Sequence, residues 1–237
     1  MNGRSRVYLL VIIPLCVVAL CCVPEKKDET EATMETVVNA EVSEDEPNPA
    51  LLIPSLAHER APDEFRVKFE TTQGPVLIKV VRGWAPNGVD RLFNLIKIGY
   101  LEDIAFYRAV EGFVVQFGIS GNPEINQVWA DARVKDDPVK ESNKRGYLTF
   151  AMAGPKSRTT QLFINLRDNS DLDAQGFAPI GKVIDGMEAI DLLYTGYGEM
   201  APRGKGPRPQ VFNRRGNDYL KKLFPDLDYI ETANILE

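Results

Sequence analysis

From Phe65 onward the apolar residues arrive in short runs of period two, each cut off by Gly, Pro, Asn or Asp, and only twice does the period lengthen to three or four. That pattern restricts the chain to a mainly β fold assembled from short strands. FRVKFETTQGPVLIKVV places Phe65, Val67 and Phe69 on one face and turns at Gln73 and Gly74, which predicts a hairpin. IAFYRAVEGFVVQFGIS predicts two strands about Glu111 and Gly112, RGYLTFAMA, QLFINL and FAPIGKVI three more, and LDYIETANIL a closing one.

Helical spacing is confined to WAPNGVDRLFNLIKIGYL, where Val89, Leu92, Phe93 and Ile96 share a face and Gly99 stops the run, and to GMEAIDLLY with Met187, Ile190 and Leu193. GNDYLKKLF adds no more than a helical turn. The polar stretch GNPEINQVWADARVKDDPVKESNKRG is too rich in Asn, Asp and Pro for a long regular element, and Asp136 and Asp137 inside it read as solvated turn residues. Many short strands with two main helices predict a closed or nearly closed antiparallel β structure.

A length of 237 residues accommodates one domain of ordinary size with extensions. Residues 1–22 read as a signal peptide or membrane anchor: MNGRSR supplies two arginines and VYLLVIIPLCVVALCCV is apolar throughout. Pro14 and the modest length favour a signal over an uncleaved span of ~20 residues. ALCC at 19–22 resembles a bacterial lipobox, with Cys22 as the candidate for lipidation. Residues 23–62 are acidic, Thr-rich and without aromatics, and read as a disordered tether of which 51–60 is apolar enough to dock. The folded domain is expected at 63–237, exported to the cell envelope or periplasm and tied to a membrane only through its N-terminal segment.

The three cysteines all lie in the first 22 residues and the one histidine, His58, in the tether. The body therefore has neither an internal disulfide nor a Ser-His-Asp, Cys-His or His/Cys zinc arrangement. A net charge of -6 without a basic stripe argues against nucleic acid as a partner. An enzyme built on this domain has to work without acid-base or metal chemistry.

Two polar residues stand out in FYRAVEGFVVQFG. A guanidinium and an amide in an apolar strand pair are costly unless they find partners. With a two-residue loop, Arg108 and Gln116 fall on opposite faces; with a three-residue loop that includes Phe113 they lie directly opposite each other. Gly112 serves either loop, and the second register lets the two side chains hydrogen-bond.

Four segments in order, FYRAVEGFVVQFG, GYLTFAMAGP, TTQLFINL and LDAQGFAPIGKVIDGMEAID, resemble the cyclophilin-type peptidyl-prolyl isomerases over roughly residues 65–195. The resemblance implies a closed eight-stranded antiparallel β-barrel capped by two α-helices. It implies that Arg108 is the catalytic guanidinium, that Gln116 orients it, and that Phe113, Phe163 and Leu172 line a hollow for the proline ring. Ala151 and Gln161 match neighbouring groove positions, and Phe177 stands where many members carry a histidine. Asp171 replaces the aromatic residue common before the Leu-Asp of the pocket rim, which implies weakened binding of cyclosporin, and QFGIS lacks the family's double glycine and aspartate.

The function implied is acceleration of X-Pro bond rotation in exported polypeptides, assisting their folding. The alternative is a tethered module that holds proline-containing peptides without turnover. Proline-containing polypeptides are the expected partners, the chain is expected to be monomeric, and no cofactor or metal is implied. Because an arginine stays charged, activity is expected to be nearly flat from mildly acidic to mildly basic pH. The insert 199–227, basic in its first half, reads as a solvated excursion or a partner-binding loop.

Overall fold

The structure, a computed structural model, describes residues 46–236. The signal segment, Cys22 and the tether up to residue 45 lie outside the described residues. The compact unit begins at Pro47. Its strands are β1 (Glu64–Thr71), β2 (Gly74–Val81), β3 (Ile104–Ala105), β4 (Arg108–Val110), β5 (Val114–Phe117), β6 (Tyr147–Phe150), β7 (Leu162–Asn165), β8 (Pro179–Asp185) and β9 (Tyr229–Leu236). Its α-helices are α1 (Pro86–Lys97), α2 (Pro123–Trp129), α3 (Met187–Asp191) and α4 (Pro209–Leu223).

The strands form one sheet in the order β3-β9-β1-β2-β8-β6-β7-β5-β4, and every pairing is antiparallel. The expected closed barrel of eight strands is therefore replaced, among the described residues, by nine strands in a series with two edges. The ninth strand arises inside the run IAFYRAV, which the sequence reading treats as one strand. Ile104 and Ala105 pair with β9, Phe106 donates its amide to Asp228 O at 2.9 Å, and Arg108 to Val110 pair with β5. The run changes partner midway. Since the two edge strands are consecutive in the chain, separated by Phe106 and Tyr107 alone, the sheet has to curl until its first and last members meet end to end.

The period-two pattern of the first hairpin places Phe65, Val67, Phe69, Val76, Ile78 and Val80 in the core. Phe69 and Phe106 each meet the Phe117 ring edge to face, at centroid distances of 5.9 and 5.4 Å. Val89, Leu92 and Leu95 of α1 cover the sheet from outside the hairpin and are fully buried. Each such side chain contributes roughly 1.5–3 kcal/mol on leaving water.

Helix α1 has Pro86 in its first turn and no capping side chain from Ala85. Its free amides go instead to a distant carboxylate: Asn87 N and Gly88 N donate to the two Asp137 oxygens at 3.0 and 2.9 Å. Asp137 also pairs with Arg158 Nη2 at 3.0 Å and is 5% exposed, so its reading as a solvated turn residue is corrected. A carboxylate capping a helix 49 residues away leaves no local signature.

Two helices rather than four were expected. Helix α2 is short, capped by Asn122 Oδ1 on Glu124 N at 2.9 Å. Helix α4 is kinked at Gly216, and its first half precedes GNDYLKKLF, where the sequence reading has no more than a helical turn. It carries Phe212, Tyr219 and Leu220 into a second apolar cluster with Tyr107, Ile119 and Leu227. The insert thus has a core of its own, which corrects its reading as a solvated excursion.

The last part of the expected tether also belongs to the folded unit. Trp129 Nε1 donates to Leu51 O at 2.9 Å, Ala61 N to Asp90 Oδ1 at 3.0 Å, and Asn94 exchanges two bonds of 2.9 and 2.7 Å with the backbone of Glu59. Residues 47–62 lack the apolar content to fold alone, and the Asn94 amide and Asp90 carboxylate of α1 and the Trp129 indole of α2 supply the missing partners. Asn94→Ala strands the Glu59 backbone groups, and we expect a loss of about 2–3 kcal/mol of unfolding free energy, read from urea denaturation; a loss below about 0.5 kcal/mol would show that the segment is held by other contacts.

Candidate active site

The loop between β4 and β5 has three residues, Glu111, Gly112 and Phe113. Gly112 takes a φ of 64°, the left-handed conformation that closes this turn at little steric cost, and Phe113 N donates to Val110 O at 3.0 Å. The register that results pairs Val110 with Val114 and Arg108 with Gln116. Of the two registers open to the sequence, the structure has the one that makes the polar residues neighbours.

A chain of hydrogen bonds runs through this pair. The buried Tyr107 hydroxyl donates to Gln161 Oε1 at 2.6 Å. Having spent its proton there, it accepts from Gln116 Nε2 at 2.6 Å. This fixes the amide so that Gln116 Oε1 faces Arg108, which donates Nη1–H at 3.0 Å. Burial pushes the Tyr107 phenol well above the usual tyrosine range, so the hydroxyl stays protonated and the direction of the chain is set.

The other edge of the guanidinium is engaged from the insert. Arg108 Nε donates to Glu199 Oε1 at 2.8 Å and Nη2 to Oε2 at 2.7 Å, a side-on bidentate pair. The side chains of Arg108 and Glu199 are 14% and 25% exposed, so the pair is partly desolvated and still reachable from solvent. Hydrogen bonds from Arg108 hold the Glu199 carboxyl below the usual carboxylate range.

Beside Arg108 a cavity of about 380 Å³ opens, lined by Phe113, Phe163, Leu172 and Phe177 with Ala151, Gln161 and Gln116 on the same wall. Val114, Phe163 and Leu172 form a small buried apolar cluster separate from the main core, with Phe113, Ala151 and Phe177 packed against it. Phe163 and Phe177 meet edge to face at 5.8 Å, and the Arg108 guanidinium lies 5.6 Å from the Phe113 ring centre. All eight residues singled out in the sequence of the body therefore stand around one hollow. Asp171 is exposed at its rim.

What the sequence reading lacks is the framework behind these side chains. Asn169 Nδ2 donates to Phe113 O at 3.0 Å and to Asn165 Oδ1 at 2.9 Å, so it holds the loop that carries the Phe113 ring. Asn143 Nδ2 donates to Phe177 O at 2.8 Å and to Asp173 Oδ1 at 2.8 Å. Ser142 adds a bond to Asp173 Oδ2, fixing the 3-10 turn Ser170–Gln175 that presents Leu172. Burial works to raise the Asp173 pKa, but the hydrogen bonds from Ser142 and Asn143 outweigh it and hold the carboxyl below its ordinary value. The three asparagines of this framework, Asn143, Asn165 and Asn169, are 0% exposed. Met200 and Arg203 of the insert complete the wall. Among the described residues no group of three or more His, Cys, Asp or Glu is placed to hold a metal ion.

Comparison with known proteins points to one family. The family model described as cyclophilin type peptidyl-prolyl cis-trans isomerase matches residues 66–209. Peptidyl-prolyl cis-trans isomerase B of Escherichia coli (strain K12) is 30% identical over 141 residues, which is 54% of this chain and 82% of that protein. A peptidyl-prolyl cis-trans isomerase of Acinetobacter baylyi is 30% identical over 133 residues, 54% of this chain and 70% of that protein. A crystal structure of a cyclophilin type isomerase from Cryptosporidium parvum superposes with a TM-score of 0.53 at 18% identity, covering 73% of this chain and 98% of that one. A second crystal structure of that protein was obtained in the presence of the dipeptide Ala-Pro and superposes with a TM-score of 0.52 at 19% identity.

The Arg108–Glu199 pair has a pH signature. Because the folded-state pKa of Glu199 is lowered, its contribution to stability is fully present above the ordinary value of 4.5 and is lost as pH falls through the folded value. Urea unfolding of the parent and of Glu199→Gln, compared at pH 6.5 and pH 3.5, is expected to show the smaller pH-dependent loss in the variant. Equal losses would mean that the pair contributes nothing to the folded state.

Proposed function

The chain belongs to the cyclophilin-type peptidyl-prolyl cis-trans isomerase family, and from that premise we propose that Arg108, Gln116 and Phe113 carry the reaction and that its clients are exported polypeptides whose folding it assists. The observation that supports this most is the placing of one fixed guanidinium at the lip of an aromatic hollow large enough to admit a proline ring.

The reaction needs no bond to be broken. Rotation about X-Pro is opposed by amide resonance, a barrier of ~18–20 kcal/mol, and takes tens to hundreds of seconds unaided. As the amide twists, the nitrogen recovers its lone pair and the carbonyl its separate double bond. A group that donates to that nitrogen binds the twisted form better than the planar one, which is the differential binding that catalysis requires. Phe113, Phe163, Leu172 and Phe177 would hold the ring, and the acyl side of the bond would turn past Arg108. Gln116, fixed by Tyr107, orients the guanidinium and leaves its own Nε2 side toward Gln161. The Ala-Pro dipeptide used with the structural relative has the chemistry that such a hollow selects.

An arginine keeps its charge at any working pH, so turnover is expected to be nearly flat between pH 6 and 9. Arg108→Ala is expected to lower kcat/KM for a proline tetrapeptide about a hundred- to a thousandfold, followed by NMR exchange between the cis and trans forms. Arg108→Lys is expected to stay low, since an ammonium cannot satisfy Gln116 and Glu199 together. Exchange at the buffer rate by the parent chain would defeat the catalytic reading and leave a module that only holds proline peptides. A bell-shaped profile centred near pH 7 would point to a different mechanism.

Export is supported by the basic and apolar layout of residues 1–22. We expect mass spectrometry of the mature chain from its native host to show an acylated N-terminus at Cys22. A start at any other residue without lipid would reject the lipid anchor, and an intact Met1 would reject cleavage altogether.

A further inference from the structure

The reading of Arg108 leaves one group in direct contact with it unexplained. Glu199 belongs to the insert, far from the motifs that define the pocket, yet it makes the two shortest hydrogen bonds to the guanidinium, at 2.7 and 2.8 Å. A guanidinium has five N–H donors. Glu199 takes the one on Nε and one on Nη2, and Gln116 takes one on Nη1. Two remain, one on each terminal nitrogen. With both edges of a planar group anchored, neither the tilt nor the spin of the fork is free, so the two remaining donors are aimed.

The loop that delivers Glu199 is built to hold it. Met200 N donates to Glu199 Oε1 at 2.9 Å, which orients the carboxylate from its own backbone. Glu199 O accepts from Gly206 N at 2.9 Å across a bridge between Met200 and Gly206. The turn closes so tightly that a Cβ on Gly204 would lie 2.2 Å from Glu199 O. Tyr197 and Met200, on either side, pack against the apolar cluster of Phe212 and Leu220. The carboxylate is thus presented from a fixed backbone rather than from a loose arm.

We propose that Glu199 is a positioning residue for the isomerase reaction: it locks the Nε edge of Arg108 so that the free donors of the terminal nitrogens face the prolyl amide. This assignment rests on the isomerase reading above. Its effect falls on the barrier and not on the grip of the proline ring, because Phe113, Phe163 and Leu172 are untouched. The opposing effect, partial neutralisation of the guanidinium by the carboxylate, makes a contrary prediction, since a brake on Arg108 would release activity when removed.

The test is steady-state exchange kinetics on the full chain and its Glu199→Ala and Glu199→Gln variants, with thermal unfolding followed in parallel. Glu199→Ala is expected to lower kcat about ten- to a hundredfold with KM within twofold of the parent. Glu199→Gln, which keeps one acceptor oxygen, is expected to fall between the two. The Arg108 Nε–H resonance supplies a readout that loss of stability alone would not move: slow solvent exchange in the parent, fast exchange in folded Glu199→Ala. An active parent whose Glu199→Ala variant turns over equally fast or faster overturns the assignment and leaves the isomerase reading intact. A parent at the buffer rate overturns the isomerase reading, and this assignment with it.

Discussion

A guanidinium set into an apolar wall has to be given partners for most of its donors, and the arrangement around Arg108 follows from that requirement. The cross-strand neighbour Gln116 takes one proton, Glu199 takes two, and the aromatic face of Phe113 lies alongside. Each partner then needs fixing in turn. Tyr107 orients Gln116, Gln161 orients Tyr107, and the Phe113 loop is tied down by Asn169. Polar satisfaction in a dry setting propagates outward until it reaches main-chain groups, and the rigid pocket is the by-product.

The parts of this site that were legible in the sequence are those written in local pattern. Period-two runs identified seven of the nine strands as single elements, and the polar pair in FYRAVEGFVVQFG identified its own register once a three-residue loop was granted. Phe163, Leu172 and Phe177 followed from a resemblance spread over four segments, and the structure brings them to one hollow. Local pattern could not show that IAFYRAV changes partner at Phe106, because both halves have the same apolar alternation and only the position of β9 distinguishes them.

The rest depends on pairs remote in sequence. Asp137 caps a helix 49 residues away and Glu199 meets Arg108 across 91; a carboxylate in a polar stretch looks the same whether it is solvated or engaged. Asn143 and Asn169 belong to segments whose composition signals loops, and they are loops, but loops whose side chains, together with Asn165 at the end of β7, do the work that a ladder does in a strand. The segment 47–62 has too few apolar residues to fold by itself and is ordered by the Asn94 amide of α1 and the Trp129 indole N–H of α2.

Tyr107 belongs to two structures at once. Its hydroxyl is the middle of the polar chain behind Arg108, while its ring meets Phe212 of the insert edge to face at 5.8 Å. The insert has its own small apolar cluster, and the free energy needed to open such a unit is less than that needed to melt the whole domain. Opening it would uncover one side of Tyr107 and withdraw Glu199 with the sheet still folded. The anchored edge of Arg108 is thus only as durable as the insert that supplies Glu199, whatever the stability of the sheet beside it.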